Sequence, residues 1–138
     1  MKRAAAEFLI IMSIALTDRA AAAETKTILV LGDSLSDGFM LKRSEAYPAL
    51  LAKKLHDAAL PFQVINASAT GGTAEGGLER LPRHLKRKID IFILELGIND
   101  AFDGVPVVQI QNNLQQIIDR VKTRNPGCTG RNRGNATA

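Results

Sequence analysis

Residues 89–96 read I-D-I-F-I-L-E-L, an apolar run broken only by Asp90 and Glu95. A strand with one wet face alternates apolar and polar residues, and this run does not. It needs cover on both faces, as the strands of a parallel sheet do. Gly97 ends it. Two more runs fit the same sheet. Thr27 to Leu31 (T-I-L-V-L) is stopped by Gly32, and Phe62 to Ile65 follows the break at Leu60-Pro61.

The segments between the runs read as helices. Residues 46–59 carry Tyr47, Leu50, Leu51, Leu55 and Ala58 at helical spacing, with Pro48 tolerated in the first turn. Thr73 can cap a further helix whose face is Leu78, Leu81 and Leu85. Pro106 can open the last helix, with Ile110, Leu114, Ile117, Ile118 and Val121 on one stripe and Asn125-Pro126-Gly127 as its stop. Three strands, each followed by a helix, imply a right-handed parallel α/β sheet. Strand order in such open sheets often reverses near the first strand, so run 89–96 is expected beside run 27–31. Its outer edge then lacks a neighbour, an invitation to self-association unless the tail or another chain covers it. Residues 128–138 (C-T-G-R-N-R-G-N-A-T-A) hold no apolar run and read as coil. A fourth strand is expected there and is not written, which points to a truncated chain, frameshifted near codon 128.

The first 23 residues have a different character. A basic start, Met1-Lys2-Arg3, precedes a nine-residue apolar stretch, Phe8 to Leu16, and the small residues Ala20 to Ala23. This is the pattern of a secretory signal peptide, with cleavage after Ala23 and a periplasmic or secreted product. Nine residues are too few to span a bilayer, so no stable membrane span is expected. The single cysteine, Cys128, cannot form an internal disulfide. Net charge is only +4, spread along the chain, and tryptophan is absent. Neither a basic stripe nor a stacking platform for nucleic acid is present.

In a parallel sheet the three loops after the strands emerge at one edge, where α/β proteins place their sites. The first loop holds Gly32-Asp33-Ser34-Leu35-Ser36. The second holds Asn66, Ala67, Ser68, Gly71 and Gly72. The third holds Gly97-Ile98-Asn99-Asp100. A hydroxyl, a glycine-rich backbone and a carboxamide converge from separate segments. Those are the parts for attacking an acyl carbon. The Ser34 and Gly71 N–H groups and the Asn99 amide would receive the oxyanion.

The blocks G-D-S-L-S at 32–36, N-A-S-A-T-G at 66–71 and G-I-N-D at 97–100 resemble the first three sequence blocks of the GDSL, or SGNH, hydrolases. They are most similar to the exported bacterial arylesterase, acyl-thioesterase and lysophospholipase group. The resemblance covers residues 26–127 and implies a domain over 24–127. Its fold would be a three-layer α/β/α sandwich around a parallel, flavodoxin-like sheet, with the first three strand–helix units present. It implies that Ser34 is the nucleophile and that Ser34, Gly71 and Asn99 form the oxyanion hole. Asp33 and Asp100 would support the loops. The substrate would be a small acyl ester, thioester or lysophospholipid. No metal or organic cofactor is implied. Relatives often carry an acidic residue where Gly72 stands, and the glycine is expected to loosen the loop.

The family's fourth block, Asp-x-x-His, supplies the base that takes the serine proton. Here Lys53 stands three before His56 and Leu81 three before His84, and no histidine follows residue 84. Both histidines fall late in helices that return antiparallel to the strands. A five-residue strand, about 17 Å long, would separate them from Ser34. The chain is therefore expected to turn over slowly. The competing reading is a non-catalytic α/β module that holds a phosphate or flavin at the loop edge.

Overall fold

The computed structural model describes residues 24–129. The proposed leader (1–23) and most of the tail (130–138) lie outside the described residues. Strands β1 (Lys26–Gly32), β2 (Phe62–Asn66) and β3 (Ile91–Glu95) form a parallel sheet in the order β2-β1-β3. The reversal at β1 is the one the sequence implied. The third strand is shorter than the apolar run. Ile89 and Asp90 precede it: the buried Ile89 N–H donates to the Asn125 side chain at 2.8 Å, and Asp90 N–H donates to Thr27 C=O at 3.0 Å.

Every residue of β1 from Thr27 to Gly32 is buried. Leu29 and Leu31 face one core cluster with Ala67, Leu81, Ile89, Phe92, Ile117 and Val121. Each fully buried leucine contributes about 1.5–3 kcal/mol by leaving water. The intervening Ile28 and Val30 are equally buried but lie outside that cluster, so they point to the opposite face. The helices follow this division. Helix α2 (Tyr47–Asp57) packs on β2, whereas α3 (Ala74–Arg80) and α5 (Val107–Arg124) pack together over the Leu29/Leu31 face. The result is an α/β/α arrangement.

Two short helices, α1 (Ser34–Asp37) and α4 (Ile98–Phe102), occupy stretches that the sequence suggested as loops. Four or five residues are too few to show a helical period, so their side chains give no pattern to read. The helix at 74–80 tightens into a 3-10 turn at Leu81–Arg83, where Pro82 cannot donate to the helical ladder. The cluster Lys86-Arg87-Lys88 then lies exposed beyond the helix.

Of the segment 128–138, only Cys128 and Thr129 lie among the described residues. Thr129 bridges to Ile91 in parallel, with its N–H donating to Asp90 C=O at 2.9 Å. The start of the tail thus touches the outer edge of β3. The reason is local. Asn125 stops α5, and the turn after it returns the chain alongside the strand.

Candidate active site

The three strand ends open on one edge, and each loop is tied to the next by bonds between side chain and backbone. From the first loop, Asp37 Oδ2 accepts from Thr70 N–H at 3.1 Å and Thr70 Oγ1 at 2.7 Å. Asn66 Nδ2 donates to Ser36 C=O at 2.8 Å, and Asn66 Oδ1 accepts from Ser68 N–H at 3.1 Å. The second loop meets the third through Asn99 Nδ2, which donates to Gly72 C=O at 2.8 Å. Asp100 Oδ2 accepts from Ala74 N–H at 2.8 Å, at the start of α3. Charge at a helix N-terminus suits that carboxylate. Arg80 reaches back across the set, donating to Gly32 C=O at 2.8 Å and Ala67 C=O at 3.2 Å.

Ser34 is the first residue of α1 and half-buried. At that position its N–H has no intrahelical acceptor. Its hydroxyl makes no hydrogen bond among the described residues. Asp33 is the N-cap, is 1% exposed, and accepts from Leu35 N–H at 2.9 Å. Gly71 is exposed, and its N–H has no acceptor among the described residues. Asn99 sits in the first turn of α4 and is half-buried. One of its amide hydrogens is engaged by Gly72, leaving the second available. The linked loops thus bring Ser34, Gly71 and Asn99 to one edge, where two peptide N–H groups and one amide hydrogen have no acceptor among the described residues.

Gly72 has no room for a side chain. A Cβ there would stand 2.8 Å from Ala69 C=O and 2.9 Å from the Arg80 guanidinium, so the chain is closely packed at this point. Only glycine lets the second loop lie this near the end of β1.

Neither histidine joins this edge. His56 is almost fully exposed near the end of α2, 3.8 Å from Asp57. His84 accepts from Arg83 Nε at 3.1 Å. Burial pushes the His84 pKa below its ordinary value, and the Arg83, Arg87 and Arg80 cations push it further down.

Four residues outside the three expected roles organise the edge. Ser36 is fully buried, donates to Glu95 Oε2, and lies 3.2 Å from the Tyr47 hydroxyl. Glu95 pairs in register with Gly32 across β1 and β3. Arg80 is the fourth. Their partners lie far along the chain, which spacing alone does not reveal. Glu95 carried one signal, a carboxylate inside an apolar run. Among the described residues, no group of three or more His, Cys, Asp or Glu could hold a metal ion.

The profile of the GDSL-like lipase/acylhydrolase family matches residues 30–132. The chain belongs to this family. It is 44% identical over 113 residues to the thioesterase 1/protease 1/lysophospholipase L1 of Escherichia coli K12, covering 81% of this chain and 52% of that protein. It is 40% identical over 110 residues to esterase TesA of Pseudomonas aeruginosa, covering 79% and 53%. A crystal structure of TesA superposes with a TM-score of 0.71 at 38% identity, covering 76% of this chain and 58% of the other. The chain spans about half the length of the curated relatives it matches. These relatives are named as hydrolases, and the phosphate- or flavin-holding alternative gains no support from them.

Proposed function

We propose that this edge is the acyl-transfer half of a serine ester or thioester hydrolase. The observation that carries the reading is that, among the described residues, a half-buried Ser34 hydroxyl without a hydrogen bond shares one edge with the open Ser34 and Gly71 N–H groups and the second amide hydrogen of Asn99. Ser34 Oγ attacks the acyl carbonyl carbon, and the alcohol or thiol departs to leave an acyl-serine. The carbonyl oxygen gathers negative charge as the tetrahedral intermediate forms. The Ser34 N–H, Gly71 N–H and Asn99 Nδ2 receive that charge, each already fixed before the reaction. Asp33 and Asp100 hold the loops and take no part in proton transfer. Water releases the acid in the second step.

A serine hydroxyl needs a base, and no histidine in these 138 residues meets Ser34. The reading therefore requires a base from outside these residues. Aryl esters, acyl thioesters and lysophospholipids are the substrate classes that the relatives' names suggest. Export through the leader at 1–23 belongs to the same reading.

The test is covalent labelling. A fluorophosphonate should add one phosphonyl group to the Ser34 peptide, detected by mass spectrometry. Imidazole in solution should speed the labelling by supplying the base, and S34A should abolish it. Labelling spread over several serines, or unchanged in S34A, would sink the reading.

A further inference from the structure

Glu95 stands outside the three sequence blocks, yet it meets the first of them from beneath. Gly32, its partner in register, has no room for a side chain. A Cβ there would lie 2.5 Å from Ser36 Oγ and 2.9 Å from Glu95 Oε2. Glu95 and Ser36 are thus pressed together over the backbone that leads into Asp33 and Ser34. The groups facing Glu95 are Ser36 and Asp33 from the first loop, with Tyr47 of α2 behind Ser36. No cation pairs with Glu95 among the described residues. Asp33 Oδ1 caps α1, but its buried Oδ2 has no hydrogen-bond partner among those residues.

We propose that Glu95 is a positioning residue for Ser34, holding a proton that bridges its carboxyl to Asp33 Oδ2 while its other oxygen accepts from Ser36. The inference rests on the acyl-transfer reading for what Ser34 does.

Burial and the neighbouring Asp33 side chain both make charge on Glu95 costly, so its carboxyl holds a proton more firmly than an ordinary glutamate does. Burial raises the Glu95 pKa most. The Ser36 hydrogen bond opposes that rise, and the Asp33 carboxylate adds to it. A protonated Glu95 satisfies the orphaned Asp33 oxygen and fixes Asp33 as the cap. It also leaves one negative charge, not two, beneath the place where an oxyanion would form. Loss of the proton sets two anions against each other, and the first turn of α1, with Ser34, is displaced.

Carbon-detected NMR of the Glu95 carboxyl, with amide spectra across pH, tests this on the full chain. Glu95 should titrate above the ordinary glutamate range, and the Ser34 and Leu35 amides should move with the same midpoint. E95Q can still donate to Asp33 and accept from Ser36. Its Ser34 and Leu35 amides should stay near their low-pH wild-type positions throughout. E95A should displace them at every pH. If these variants fail to fold, S36A removes only a hydroxyl and should move the Glu95 midpoint upward. An ordinary Glu95 midpoint, an indifferent Ser34 amide, a persisting titration in E95Q, or an unmoved midpoint in S36A would overturn the proposal. Failure of Ser34 labelling with this linkage intact would sink the hydrolase reading alone. Normal labelling without the linkage would sink the positioning role alone.

Discussion

The two ends of the sheet are built from similar bonds and differ in what they leave over. At the start of the strands, Asp90 accepts from Thr27 N–H at 2.8 Å, Asn125 accepts from Ile89 N–H at 2.8 Å, and Thr129 N–H reaches Asp90 C=O at 2.9 Å. These bonds take up backbone groups that would otherwise be stranded, and they close the fold. At the loop edge, side chains also tie backbone to backbone, yet the Ser34 and Gly71 N–H groups have no acceptor among the described residues. A rigid frame with donors left open is suited to receive charge, because nothing must reorganise when the charge arrives. Both ends hold the fold, and among the described residues the loop edge leaves the Ser34 and Gly71 N–H groups open.

Substitutions at the two ends should separate these roles. The largest effect is expected from N99A. Losing one oxyanion donor should slow Ser34 phosphonylation by about 10²–10³-fold. Rates near wild type would remove Asn99 from the site. Next, D100A strips the buried carboxylate from the start of α3, a loss of about 2–3 kcal/mol in urea unfolding. It should also shift the Gly71 and Asn99 amide resonances, since Asp100 joins their loops. The mirror experiment is N125A at the other end. Stranding the Ile89 N–H should cost about 1–3 kcal/mol while the Ser34 and Gly71 resonances stay in place. Movement of those resonances would show that the two ends are not separable.

A smaller effect concerns pH. The folded-state pKa of Glu95 lies above its unfolded value. Its protonation therefore favours the fold fully below the unfolded pKa, and that stability is lost as pH rises through the folded pKa. Subtracting an E95Q unfolding series from wild type should show wild type losing ground over that interval. A flat difference would contradict it. The smallest effect is expected for K53M. The exposed Lys53–Asp57 pair, 2.6 Å apart, should be worth under about 0.5 kcal/mol by thermal melting.

The parts of this molecule that were legible from sequence are those governed by short-range rules. The apolar run T-I-L-V-L marked the central strand, and Thr73 marked the α3 cap, where its side chain accepts from Gly76 N–H at 3.1 Å. The stripe from Ile110 to Val121 marked α5, with Ile117 and Val121 buried against the sheet. The site residues came from three short blocks, and the linked loops bring those blocks to one edge. What stayed hidden depends on register. Glu95 reaches Ser36 across 59 positions, only because β3 lies beside β1 with Glu95 opposite Gly32. Arg80 reaches Gly32 C=O across 48 positions. The tight seat of Gly72 likewise exists only once Ala69 and Arg80 have closed around it. No local pattern encodes such contacts.

The most direct test of the loop edge as a single charge-receiving site is a titration with an alkylboronic acid, a tetrahedral mimic of acyl transfer, followed by amide NMR. The Ser34 and Gly71 N–H signals and the Asn99 side-chain amide should shift together on one binding curve, and S34A should lose the response. Independent curves for the three donors, or shifts confined to the opposite end of the sheet, would contradict it.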